Sequence, residues 1–323
     1  MSRLSALLLF VLALPVLAQQ PPTPQQLLDA VHKSADLSAA GPYTLTATVI
    51  GNPGRQKAQQ SGQLRIDRDH DRFRVQLDMP GYREIRLTLG DKTYVPRTKA
   101  TLLATGLSDL DHIWDPLWRR PGLEPLKPKY EKPRRETVRG IEALCFDEKD
   151  KSGKTRLCLD PARSVLLSKD EGRYGRTEYA RYNSFSGHLV PGRVEIRRPN
   201  IQKLVLEDIH VQFQAVDAAR FAIPEDSVEL ETCEGLQHPR PVFTPSPNLA
   251  MEARKAPMHG RLLLRMLISA TGRVDDVELL NPSGDSIDAN AKSTVHTWKF
   301  KPATCAGHAV ASEMMVDMDF STY

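Results

Sequence analysis

Between residues 43 and 213 the chain repeats one pattern, in which apolar side chains stand at alternate positions in short runs broken by turn residues. In Arg72 to Met79, Phe73, Val75, Leu77 and Met79 share one face of an extended chain, and Arg72, Arg74, Gln76 and Asp78 share the other. The same period predicts strands at Tyr43–Ile50, Gly62–Asp67, Tyr82–Leu89, Thr93–Arg97, Glu136–Val138, Ile141–Glu148 and Thr155–Leu159. It continues through Val165–Ser168, Arg176–Tyr182, Val194–Arg198 and Lys203–Phe213. Turn signals such as Gly51-Asn52-Pro53-Gly54, Pro80-Gly81 and Gly90-Asp91 lie between runs, so the strands fold back as an antiparallel meander. A helix from Gln25 to about Ala35 precedes it, with Leu27, Leu28 and Val31 on one side. Near-helical spacing of Leu107, Leu110, Ile113, Trp114 and Leu117 predicts a short helix or lid, and Pro121 to Pro133 reads as a loop.

The pattern changes after residue 248. Leu262, Leu264, Met266 and Ile268 alternate on one strand, Thr271-Gly272 turns the chain, and Arg273 to Leu280 returns as a more polar strand. Ile287, Ala291, Val295 and Trp298 then form the apolar stripe of a helix that Asp285 or Ser286 can cap. Pro302 ends that path, and Glu313 to Phe320 alternates again with Met314, Val316, Met318 and Phe320 inward. Between the two parts, residues 231–248 hold Pro239, Pro241, Pro245 and Pro247 and read as a Pro-rich linker. The predicted class is α+β: an N-terminal antiparallel half-barrel-like sheet with a helix, and a small C-terminal strand-strand-helix-strand domain. The predicted boundaries are 1–18, 19–230, 231–248 and 249–323.

Gly260, Gly272-Arg273-Val274, Ser283-Gly284, Ile287-Asp288-Ala289, Trp298-Lys299-Phe300-Lys301-Pro302-Ala303 and Gly307 agree in order and spacing with one family. Over these residues the chain resembles the TonB C-terminal domain, the periplasmic end of energy transducers that dock onto outer-membrane receptors. The resemblance implies that an outer-membrane receptor or another protein strand pairs with the last strand. As an edge strand it offers unpaired N–H and C=O groups, at Glu313, Met315, Asp317 and Asp319. Homodimerisation, or an edge covered by the neighbouring domain, is the competing use of that strand.

Phe73 to Leu89 with Pro80 between two strands, and Phe221-Ala222-Ile223-Pro224 at the end of the meander, are similar to the LolA-type domain that carries or binds lipoproteins and lipids in the periplasm. The resemblance covers roughly Gln25 to Leu230 and implies a curved sheet wrapping a helix around an apolar concavity. Phe73, Val75, Leu77, Ile85, Leu87, Leu89, Leu144 and Phe146 are then the candidate lining for a lipid or other apolar ligand. The same side chains could simply fill a core.

Export follows from the N-terminus. Arg3 precedes the apolar run Leu4 to Leu17, and Ala18 leaves a small residue before Gln19, the pattern of a cleaved signal peptide (residues 1–18). The alternative is an uncleaved anchor on an energy transducer of the TonB family. Four cysteines fit an oxidising compartment, and the periplasm is the expected location. Cys145 and Cys158 lie equally far from a turn at Lys151-Ser152, which places them opposite each other, with the sulfurs on the face away from Leu144, Phe146, Leu157 and Leu159. Cys233 and Cys305 remain as the second pair. A zinc site competes for these cysteines, but no spacing is C-x-x-C.

A net charge of +4 gives no support to nucleic acid binding. No catalytic motif, cofactor signature or metal-ligand spacing stands out, so a non-enzymatic protein with neither metal nor cofactor is expected. Asp67-Arg68-Asp69-His70-Asp71 could be a metal cluster or a solvated turn, and the turn is favoured. Trp298 belongs to the helix stripe, which favours packing over binding.

Overall fold

In the computed structural model, the described residues are 22–51, 59–80, 82–96, 129–149, 154–172, 175–197, 203–231, 233, 236–247, 258–279 and 285–322. The expected signal segment, the helix or lid expected near 102–118 and most of the loop expected at 121–133 lie outside them. Among the described residues no helix is long and apolar enough to cross a membrane.

Helix α1 (Pro24–Ala35) starts where its sequence provides a cap. Thr23 Oγ1 accepts from the Gln26 N–H at 3.3 Å, Gln26 Oε1 accepts from the Thr23 N–H at 2.9 Å, and Pro24 occupies the first turn. The meander follows as β1 (Tyr43–Gly51), β2 (Gln60–Asp69), β3 (Arg72–Met79), β4 (Tyr82–Leu89), β5 (Lys92–Pro96), β6 (Lys129–Tyr130), β7 (Arg134–Val138) and β8 (Ile141–Lys149). It continues through β9 (Lys154–Asp160), β10 (Val165–Asp170), β11 (Arg176–Phe185), β12 (His188–Arg197), β13 (Leu204–Phe213) and β14 (Ser227–Glu231). All fourteen join one sheet in the order β14-β5-β4-β3-β2-β1-β13-β12-β11-β10-β9-β8-β6, with β7 also on β8. The chain is mostly β, a large antiparallel sheet with a small C-terminal domain, so α+β describes it only loosely.

Alternation decides what each face of the sheet meets. Leu45, Leu64, Ile66, Val75 and Leu77 are directly opposed across β1 to β3 and wholly buried, together with Leu27, Leu28 and Val31 of α1. Burying each such side chain stabilises the fold by about 1.5–3 kcal/mol. The other face carries Asp67, to which Thr44 Oγ1 donates at 2.8 Å, Arg65 Nε at 3.0 Å and Arg220 Nε at 2.9 Å. Burial pushes the Asp67 carboxyl up, but these three donors more than offset it and hold it below the usual carboxylate range. Arg74 donates to the Arg220 carbonyl at 2.8 Å, so the turn Ala218–Phe221 is pinned onto this face.

The C-terminal elements are β15 (Arg240–Phe243), β16 (Met258–Ile268), β17 (Val274–Leu279), α2 (Asp285–His296), β18 (Lys299–Lys301), β19 (Ala303–Cys305), β20 (His308–Val310) and β21 (Ser312–Thr322). β16 lies between β17 and β21, and one sheet face packs on Ile287, Ala291 and Val295 of α2. Gly272 explains part of the motif. Its φ is +80°, and a Cβ there would stand 1.9 Å from the Phe300 carbonyl oxygen, so only glycine lets the turn receive the Phe300 N–H at 2.8 Å.

Residues 236–247, within the stretch expected as a Pro-rich linker, are bonded to this domain. Gln237 and Thr304 exchange backbone hydrogen bonds of 2.9 and 3.0 Å, β15 pairs with β18, and Trp298 Nε1 donates to the Pro245 carbonyl at 2.9 Å. Two disulfides are present. Cys145–Cys158 joins directly opposed residues of β8 and β9, 4.1 Å apart at Cα, on the face away from Phe146 and Leu157. Cys233–Cys305 joins the segment after β14 to β19, 6.0 Å apart at Cα.

Candidate functional site: an edge strand beside the domain junction

β21 pairs with β16 along its whole length, from Ser312 opposite Ile268 to Thr322 opposite Met258. Among the described residues no strand lies on its other side, so the outer edge carries backbone groups that a further strand could complete. Met314, Val316 and Met318 pack on the α2 side of the sheet, as their alternation requires. Glu313 and Met315 therefore point to the opposite side. Met315 is 63% exposed. The side chains of Asp317 and Asp319 lie outside the described ones.

Glu313 is not free on that edge. Leu267 and Ala311, together with Val95 of β5 and Leu230 and Val228 of β14, form an apolar cluster between the two domains. Beside it Arg86 Nη2 of β4 donates to Glu313 Oε2 at 2.5 Å, and both side chains are 8% exposed. Arg265 and Glu278 form a second buried pair, 2.5 Å from Nη2 to Oε2, on the same sheet face as Leu267. His308 Nε2 lies 3.1 Å from Glu231 Oε2. The first two residues of β21 thus sit at a closed domain junction, and the exposed edge begins at Met315.

The candidate ligand lining does not form one surface. Val75 and Leu77 are opposite Arg86 and Glu84, whereas Ile85 and Leu87 are opposite Gln76 and Arg74. Ile85 and Leu87 therefore lie on the face away from Val75 and Leu77, which corrects their inclusion in a common lining. The cause is the two-residue connection at Pro80-Gly81, which pairs Met79 with Tyr82 and so sets odd positions of β3 against even positions of β4. Val75, Leu77 and Phe146 are buried in the main core with α1, and Phe73 and Leu144 pack partly buried against it. This register turns the polar residues Glu84 and Arg86 inward, a placement that alternation within β4 alone does not mark but the length of its turn does.

The candidate chemistry elsewhere is structural. His70 takes a φ of +56° in the β2–β3 turn with Nδ1 2.5 Å from Asp69, while Asp67 points into the network with Arg220. Glu136 lies near Cys145 and Cys158, whose sulfurs are bonded to each other and are not thiolate ligands.

No curated protein matches the sequence. Several solved structures share a partial likeness. A LolA superfamily protein from Nitrosomonas europaea matches 62% of this chain and 98% of its own, at 10% identity and a TM-score of 0.44. A domain described as outer membrane lipoprotein-sorting, from Vibrio parahaemolyticus, matches 60% and 95%, at 12% identity and a TM-score of 0.40. A protein from Desulfovibrio piger, of a domain family of unknown function, matches 61% and 96%, at 12% identity and a TM-score of 0.41. Residues 245–322, which contain β16 to β21 and α2, match the family model for the Gram-negative bacterial TonB protein C-terminal, and the chain carries a TonB-like C-terminal domain.

Proposed function

We propose that this is an exported, non-enzymatic periplasmic protein whose TonB-like domain receives an extended partner strand along the outer edge of β21. The observation that carries the reading is the outer side of β21, unpaired among the described residues, in a domain that matches the TonB family over residues 245–322. Strand addition draws its affinity from main-chain hydrogen bonds and its specificity from alternate side chains. Because Glu313 is engaged by Arg86, the partner strand runs from Met315 toward Thr322.

A docking module fits the domain better than an extending lever. A lever needs a spacer free to lengthen, and here Cys233 and residues 236–247 are held by a disulfide, a strand pairing and the Trp298 bond. The N-terminal domain serves as the platform on which the β21 edge is fixed. Calorimetric titration of the exported chain with extended N-terminal peptides of outer-membrane receptors tests the reading. Binding is expected, and N-methylation of alternate peptide residues should abolish it. No binding, or binding indifferent to N-methylation, would remove strand addition. The mass of the native protein should place its N-terminus at Gln19; a retained Met1 would favour the anchored transducer.

A further inference from the structure

The ribbon formed by β15 and β18 carries a second surface, separate from the β21 edge. Directly opposed residues share a face of a sheet. Arg240 is opposite Lys301, Phe243 is opposite Lys299, and Lys299 bridges to Arg273. All five therefore project from one side, while Phe300, between the two lysines, turns inward and is buried. Phe243 is 54% exposed, and its neighbour Val242, at the bulge in β15, is 63% exposed.

The four cations differ from those of the large sheet. There, Arg193, Arg197 and Lys203 converge on Glu195, and Arg139 and Arg176 converge on Glu178. No described carboxylate pairs with Arg240, Arg273, Lys299 or Lys301. Their charge is directed at solvent, around an exposed aromatic ring.

We propose that this face docks the protein on an anionic lipid surface. Cations near such a surface are each worth about 1 kcal/mol, and an aromatic ring among them settles at the headgroup level. Every residue of β15 is exposed, so nothing walls a groove that would select a peptide. A purely ionic partner would leave Val242 and Phe243 without a counterpart. A headgroup layer over acyl chains supplies both.

Co-sedimentation of the exported chain with vesicles tests this directly. Binding is expected to phosphatidylcholine vesicles containing phosphatidylglycerol, not to phosphatidylcholine alone, and to be released by high salt. Each cation removed should weaken it about fivefold, so Lys299→Ala with Lys301→Ala should lose about 25-fold. Phe243→Ser should weaken binding while leaving its salt dependence unchanged. All three positions are exposed, and retained circular dichroism and disulfides would show that the variants fold. Lys33→Ala with Lys129→Ala removes the same charge from exposed sites elsewhere and should leave binding intact. The proposal is overturned if this control weakens binding equally, if neutral vesicles bind as well, or if wild-type protein ignores anionic vesicles. Binding of soluble polyglutamate without vesicle binding would also overturn it and assign the face to an acidic protein segment.

Discussion

The two ends of the long sheet are held in different ways. At the β8–β9 end, Cys145–Cys158 joins strands already paired from Leu144–Leu159 to Lys149–Lys154. The charges there, Asp147 with Lys154 at 2.6 Å and Arg156 at 3.4 Å, lie among half-exposed side chains. At the β4–β5–β14 end the outermost strand has five residues, and the inner face is closed by a sheet from another domain. The disulfide there joins residues 72 apart, and the ion pair Arg86–Glu313 is buried. The first end is determined locally. The second depends on segments far apart in sequence, so disturbing it should also disturb how β21 is presented.

Removing each disulfide gives the largest test of that contrast. A cross-link over 72 residues limits the unfolded chain by about 4 kcal/mol and one over 13 residues by about 3 kcal/mol in the loop-entropy description. Cys233→Ser with Cys305→Ser should therefore cost more in urea unfolding than Cys145→Ser with Cys158→Ser. It should also separate the unfolding of the two domains, read as non-coincident Trp fluorescence and far-ultraviolet transitions. A single coincident transition in the Cys233/Cys305 variant would mean that the junction holds without its covalent tie.

The sequence made the first end legible and left the second hidden. The spacing of Cys145 and Cys158 about Lys151-Ser152 is a local relation, as is the alternation in β3, and both carry directly into register. Gly272 and the stripe Ile287, Ala291 and Val295 were legible because a tight turn and a helix face leave short-range marks, although the helix ends at His296 and Trp298 lies just beyond it. The junction has no such mark. Glu313 alternates with Met314 as a solvent-facing residue would, and Arg86 stands in a strand whose neighbours are charged. Only their convergence across more than two hundred residues gives them a shared burial. The bonding of the Pro-rich stretch was hidden for a related reason, since proline removes a donor but leaves the carbonyl that Pro245 offers to Trp298.

The buried pair provides a smaller test. Arg86→Met removes the cation that faces Glu313 at a closed interface and should cost about 3 kcal/mol in chemical unfolding. Arg86→Met with Glu313→Leu should recover most of it, because replacing both partners removes the stranded charge. At the other end Lys154→Ala should cost less than about 1 kcal/mol, since that lysine is half exposed. If Arg86→Met were as mild as Lys154→Ala, the junction would be open to water, and Glu313 would be available to a docking strand after all.

Acid and salt give the smallest effect, and salt separates the ends by screening. Burial pushes the Asp147 carboxyl up, but the hydrogen bond from Lys154 and the charges of Lys154 and Arg156 more than offset it, leaving it below its ordinary value of 3.8. A carboxylate lowered in the folded state adds stability above its unfolded value, and that contribution is lost as pH falls through the folded one. Glu195, brought from 4.5 to about 2 where burial is outweighed by bonds from Lys203, Arg197 and Arg193, acts in the same direction. The unfolding midpoint should therefore hold from neutral pH to about 5 and decline below it. Asp147→Asn should remove no more than about 1 kcal/mol of the neutral-pH stability, because Lys154 and Arg156 are exposed enough for solvent to screen them. High salt should shrink that difference and leave the cost of Arg86→Met nearly unchanged, since a buried pair is screened far less than a surface one. Equal salt sensitivity at the two sites would place both in water and erase the distinction between the ends.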